Sequence, residues 1–223
     1  NGYAITKWSQ LGTGGTATGT SQTYKNLTST AGETVTIYVY LDLVAPTFTV
    51  EDQTLTYGDG ATISPSISKV SGLTYTITGT FNNSNFTGSL VIPTNTSVGT
   101  YTATFTVTVS DSYGLSESTT KSITVKIDKK ALTVTLAPSS TQTTYGTSTI
   151  FTLTFSGFAN SETASVLNGT LNSTNSTNSL SGNVYTITTD PTLAVGDYTI
   201  KVSGLSSNNY SFDLSKLSST LTV

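Results

Sequence analysis

Along most of its length the chain alternates apolar and polar residues with a period of two, as strands do when one face is buried and the other meets water. The longest run, Tyr101-Thr102-Ala103-Thr104-Phe105-Thr106-Val107-Thr108-Val109, alternates over nine positions and puts Tyr101, Ala103, Phe105, Val107 and Val109 on one face. Two N-terminal runs behave alike. Residues 2–8 set Tyr3, Ile5 and Lys7 against Ala4, Thr6 and Trp8, and residues 33–40 align Val35, Ile37 and Val39. Shorter alternating runs predict strands at 47–50, 53–57, 73–79, 88–92 and 118–127, then at 131–136, 149–155, 183–188, 197–202 and 219–223. Residues 44–128 carry no helical period. One short helix is expected over 160–167, with Asn160 or Ser161 as N-cap. The Asn/Ser/Thr-rich stretch 168–181 has no period and is expected to be an exposed loop or an edge hairpin.

A frame recurs along the pattern. Tyr57-Gly58-Asp59 precedes Val98-Gly99-Thr100-Tyr101, and Tyr145-Gly146-Thr147 precedes Val195-Gly196-Asp197-Tyr198, with the Tyr-Gly pairs 88 residues apart. That interval is about one small β-domain. The fold class is therefore all-β with one short helix, arranged as tandem small domains over residues 1–43, 44–128 and 129–223. Short polar linkers are expected at 42–46, where Pro46 interrupts pairing, and at 127–130.

Composition narrows the chemistry. Of 223 residues, 82 are Ser or Thr, and Cys, Met, His and Arg are absent. Without Cys or His there is no thiolate nucleophile, imidazole base or usual zinc site. Without Arg there is no bidentate clamp for phosphate. A net charge of −3 with nine dispersed Lys argues against nucleic acid as a partner. No apolar run is long enough to insert in a membrane. An enzyme is not expected. The lack of disulfides in so hydroxyl-rich a chain suits a bacterial surface protein better than a eukaryotic secreted one. Lacking an initiator Met and a signal peptide, the sequence is expected to start inside a longer protein.

Three resemblances follow from quoted residues. Lys130-Ala131-Leu132-Thr133-Val134, Thr144-Tyr145-Gly146, Ser156-Gly157-Phe158, Val195-Gly196-Asp197-Tyr198, Ser207-Asn208-Asn209-Tyr210 and Leu221-Thr222-Val223 occur in the order found in the MBG ("mostly β-grasp") family of bacterial surface proteins, which residues 129–223 resemble. Gly2-Tyr3, Trp8, the Gly/Thr-rich middle and Val35-Thr36-Ile37-Tyr38 resemble the Listeria–Bacteroides repeat, or internalin B-repeat. Val39-Tyr40 stands where that family usually has alanine and tryptophan. Residues 44–128, with longer strands and no Asn-Asn-Tyr element, resemble a bacterial Ig-like domain, with a diverged relative of the MBG module as the alternative. Together these imply an Ig-like sandwich beside a β-grasp-like module on the bacterial cell surface, anchored to the wall or secreted.

Few residues invite chemistry. Asp52, Asp59 and Asp111, with Glu51 and Glu117, lie in turns where oxygen ligands could gather around calcium, although turn-forming Asp and solvated Glu are the plainer account. No other cofactor is implied. Glycoside hydrolysis needs two acids roughly 5–10 Å apart in a cleft, and twelve scattered acids give no such pair. Ig-like surface domains of the kind resembled here sometimes carry a Lys–Asn isopeptide bond, which makes Lys121 and Lys126 crosslink candidates beside their plainer reading as strand-edge lysines. Tyr3, Trp8, Tyr38 and Tyr40 could form a sugar-binding platform or simply pack. Eight Asn-x-Ser/Thr sequons, at Asn26, Asn82, Asn85, Asn95, Asn168, Asn172, Asn175 and Asn209, accompany a composition that produces them by chance. The expected function is a non-catalytic stalk that spaces neighbouring domains of an adhesin-type protein. The alternative is a module that binds a host glycan or protein through loop 168–181 or loop 12–19.

Overall fold

The structure, a computed structural model, describes residues 2–11 and 36–223. Loop 12–19, Asn26 and the side chains of Trp8, Tyr38 and Tyr40 lie outside that description. At the N-terminus β1 (Tyr3–Leu11) pairs antiparallel with β2 (Thr36–Leu43), with a register shift between Ile5 and Lys7. Next come β3 (Phe48–Thr49), β4 (Gln53–Thr56), β5 (Ala61–Ile63), β6 (Ser66–Ile67), β7 (Thr74–Phe81), β8 (Ser84–Thr87), β9 (Leu90–Ile92), β10 (Gly99–Ser110) and β11 (Ser116–Asp128). The remainder holds β12 (Lys130–Ala131), β13 (Thr133–Pro138), β14 (Ile150–Ser156), β15 (Asn168–Ser173), β16 (Ser176–Ser181), β17 (Val184–Thr189), β18 (Asp197–Ser206), β19 (Tyr210–Ser211) and β20 (Ser218–Thr222). Strands dominate, as the alternation requires.

The chain forms two compact units, each drawn from separated segments. Asn1–Asp52, Thr62–Leu90 and Tyr101–Thr124 make the first. Here β7 pairs antiparallel with both β8 and β10. The inward residues of β10, Ala103, Phe105, Val107 and Val109, are buried, as are Phe48, Ile63, Phe81, Leu90 and Ile123 of the same unit. The Phe86 ring lies edge-on to Phe105 at 5.0 Å. On the outward face, Thr104, Thr106 and Thr108 pair their hydroxyls with Ser122, Thr120 and Ser118 at 3.0, 2.9 and 2.8 Å. The threonine content thus has a structural use, since cross-strand hydroxyl pairs cover the wet side of a sheet.

Gln53–Ala61, Val91–Thr100 and Val125–Val223 make the second unit. It contains a four-stranded sheet, β13-β14-β17-β16, a three-stranded sheet, β15-β18-β20, and two parallel pairings, β4 with the end of β11 and β12 with β19. Phe151, Leu153, Phe155, Ile187, Ile200 and Leu221 are almost fully enclosed in its core. Segment 168–181 proves to be strand on both sides of a turn at Thr174 and Asn175. β15 joins one sheet through β18 and β16 joins the other through β17.

Two local expectations change. The helix expected over 160–167 is a 3-10 turn at Ala164–Val166, capped by Thr163 without a side-chain hydrogen bond. Asn160 and Ser161 cannot cap it because both take left-handed backbone angles, φ 54° and 60°, in a turn closed by Glu162 N–H to Ala159 O at 2.9 Å. Nor is 127–130 an open linker. Tyr57 N–H donates to Asp128 O at 2.9 Å and Lys130 N–H to Asn209 O at 3.1 Å.

Candidate functional site

Each copy of the repeated frame builds one turn. Thr56-Tyr57-Gly58-Asp59 closes with Asp59 N–H to Thr56 O at 2.9 Å, and Thr144-Tyr145-Gly146-Thr147 closes with Thr147 N–H to Thr144 O at 3.0 Å. Glycine stands third in both, at φ 96° and 88°, as a turn of type II demands. The glycine N–H then ties each turn to the segment that precedes Val-Gly-x-Tyr. Gly58 donates to Thr94 O at 3.1 Å and Gly146 to Pro191 O at 3.0 Å, each acceptor four residues before the valine. The bends before the valines match as well, closed by Thr96 N–H to Pro93 O and by Leu193 N–H to Asp190 O. Equal sequence offsets and equal hydrogen bonds make these two examples of one structural device.

The first example carries a side-chain cluster inside the second unit. The Tyr57 hydroxyl donates to Glu162 Oε1 at 2.7 Å, and the Tyr210 hydroxyl donates to Glu162 Oε2. Tyr210 Oη also accepts from Ala159 N–H at 2.9 Å. The Tyr57 and Tyr210 rings meet edge-on at 5.3 Å, and Phe158 adds a second edge contact to Tyr210 at 5.0 Å. Asn209 Oδ1 accepts from Val98 N–H at 3.2 Å, and Asn160 Nδ2 donates to Thr94 O at 3.3 Å. Burial and then the Glu162 hydrogen bond raise both phenol pKa values, Tyr210 to about 12. One carboxylate bridging two enclosed phenols forms a firm polar contact, since charge-assisted hydrogen bonds gain strength away from water. Glu162 directly follows the left-handed pair Asn160 and Ser161.

The MBG-type motifs thus fall at structural joints: Tyr145-Gly146 in a turn, Ser156-Gly157-Phe158 beside Tyr210, and Asn209-Tyr210 on Glu162. Residues 132–222 match the MBG domain, YGX type. The MBG domain is a surface-protein domain, and the matched segment holds the second Tyr-Gly turn but not the first. No curated protein matches the chain. Solved structures similar to it include titin domains Z1Z2 in complex with telethonin, at 13% identity over 80% of this chain and 95% of that one, with a TM-score of 0.43. The eight N-terminal Ig domains of Down Syndrome Cell Adhesion Molecule match at 13% identity, 84% and 29% coverage and a TM-score of 0.30. A Bacteroides ovatus mixed-linkage glucan utilization protein, SGBP-B with a heptasaccharide, matches at 15%, 80% and 48% coverage and 0.27.

The MBG segment also bears a groove of about 480 Å³ along residues 168–181, lined by Thr170, Ser176, Asn178, Leu180 and Tyr185 among others. Burial raises the Tyr185 pKa.

The sequence candidates are dispersed. Asp52 Oδ1 accepts from Thr124 N–H at 2.7 Å. Asp111 Oδ1 accepts from the N–H groups of Tyr113 and Leu115, both at 2.9 Å, and Oδ2 accepts from the Tyr3 hydroxyl at 3.0 Å. Desolvation pulls the Asp111 pKa upward, but these hydrogen bonds outweigh it and leave the pKa below its ordinary value. Asp59 sits in the first Tyr-Gly turn. Among the described residues, no three potential metal ligands cluster. Lys121 prolongs the inward row of Ile123, Val125 and Ile127, yet its amine reaches the Phe48 carbonyl at 2.5 Å and lies 5.2 Å over the Phe48 ring. Lys126 faces outward and pairs with Asp128 at 2.8 Å. Glu162, the centre of the tyrosine cluster, was not among the sequence candidates. Its signal was the neighbouring pair of turn-forming residues, Asn160 and Ser161.

Proposed function

We propose that this chain is a non-catalytic spacer region of a bacterial cell-surface adhesin-type protein, located outside the cell and working through contacts with neighbouring domains of its own chain. The Glu162 bridge between Tyr57 and Tyr210 carries the reading. A spacer transmits position along a chain. It therefore needs joints in which side chains far apart in sequence fix successive segments, rather than an open polar linker. The MBG match supports the surface setting. A composition lacking Cys, His and Arg supports the non-catalytic part. Small-angle X-ray scattering on residues 1–223 tests the reading: an extended particle is expected, and a compact globule would sink it.

A second reading rests on the groove along 168–181. It offers hydroxyls, an amide and Tyr185, the chemistry that holds sugars, so the MBG segment would bind glycan itself. Saturable binding on a glycan array, lost in Tyr185→Ala, would favour this reading over the spacer.

A further inference from the structure

The two Tyr-Gly turns share their backbone hydrogen bonds but not their surroundings. Tyr57 is 3% exposed under Glu162 and Tyr210, while Tyr145 is 62% exposed. A Cβ on Gly58 would lie 2.4 Å from the Ala159 methyl, whereas a Cβ on Gly146 would meet nothing within 4 Å. Val98 is half-buried with its N–H held by Asn209, and its counterpart Val195 is 79% exposed. The same seat thus occurs twice, once covered and once open.

We propose that the open seat, formed by Tyr145, Gly146 and Val195, docks a further MBG-type module. That module would present a carboxylate and tyrosine like Glu162 and Tyr210, with an asparagine like Asn209. This deepens the spacer reading and rests on it, because the joint that fixes one module becomes a joint that can be repeated. The occupant follows from the covered seat. Its requirements are a small residue where Ala159 meets Gly58, an acid within reach of the tyrosine hydroxyl, and an amide oxygen for the valine N–H. The chain course also fits. Thr143 N–H donates to Thr222 O, and Val223 exchanges two backbone hydrogen bonds with Gly196, at 3.2 and 2.9 Å, beside Val195. In the covered seat, β11 enters the same place, pairing Thr54 with Lys126 as Gln142 pairs with Thr222. By that register, residue 128 corresponds to the position directly after Val223.

The test is a tandem protein in which residues 128–223 are repeated after Val223. Tyr145→Phe in the added copy leaves one Tyr145 to follow. Tyrosine nitration by tetranitromethane, mapped by mass spectrometry, reads the exposure of each phenol. In the 1–223 chain Tyr145 is expected to react and Tyr57 to resist. In the tandem, Tyr145 is expected to react at least about tenfold more slowly, with Tyr57 as the internal sign that the fold is intact. Glu162→Ala in the added copy should return most of the reactivity, because the partner hydroxyl loses its acceptor. Equal Tyr145 rates in the tandem and in the 1–223 chain, with Tyr57 still protected, would overturn the proposal. Undiminished protection in the Glu162→Ala tandem would overturn the carboxylate as its anchor. Scattering from the 1–223 chain addresses the spacer reading separately, so the failure of the docking seat and the failure of the spacer reading are told apart.

Discussion

Gly58 and Gly146 share a left-handed backbone, at φ 96° and 88°, but an added methyl group meets different neighbours. At Gly146 the space is open, so Gly146→Ala costs roughly 1–2 kcal/mol for the left-handed angle alone. At Gly58 the new Cβ falls 2.4 Å from Ala159 Cβ, an atom fixed to the backbone and unable to swing aside. Gly58→Ala is therefore expected to cost roughly 1–3 kcal/mol more, the range of an overpacked contact. Urea unfolding of the two variants measures the difference, and equal losses would disprove the tight approach. The tyrosine and glycine of this site were legible as a repeated motif. Glu162 was not, because its partner Tyr57 lies 105 residues away and a lone acid after Asn-Ser reads equally well as the start of a helix.

At the scale of an element, β10 holds the clearest contrast between neighbours. Phe105 is fully buried against Phe86, while Thr106 faces water and shares a hydrogen bond with Thr120 at 2.9 Å. Phe105→Ala is expected to cost about 3–5 kcal/mol, and Thr106→Val less than about 1 kcal/mol. Denaturant midpoints check both, and similar losses would contradict a strand with one wet face. This strand was legible because its alternation runs far beyond what a turn or helix tolerates. Among the short strands, β3, β4 and β9 were legible as well, but others were not. β7 and β8 join through Asn82 and Asn83, both left-handed at φ 47° and 61°, a two-residue hairpin turn in a sequence that alternates too briefly to show one. β15 and β16 carry almost no apolar pattern. Their pairing comes from β18 and β17, which offer open strand edges, so tertiary context rather than local sequence makes them strands.

For the molecule as a whole, the tyrosine cluster predicts how stability depends on alkaline pH. Tyr210 titrates near 12 in the folded protein, against 10.0 for an ordinary phenol, chiefly through burial and then through the Glu162 hydrogen bond; the Tyr57 pKa moves in the same direction. Below pH 10 both states keep their phenolic protons, and the stabilisation from neutral, enclosed phenols is fully present. Between about pH 10 and 12 the unfolded chain loses protons that the folded chain retains, so stability falls as pH rises. A tenfold difference in proton affinity is worth about 1.4 kcal/mol, so Tyr210 contributes a loss on the order of 2–3 kcal/mol across that window. Urea midpoints followed by far-UV circular dichroism from pH 8 to pH 12 would show a plateau and then a decline. Tyr210→Phe starts less stable, because Glu162 and Ala159 N–H each lose a partner, but its decline should be shallower. A variant that falls as steeply as the parent would place the alkaline sensitivity elsewhere than in Tyr210.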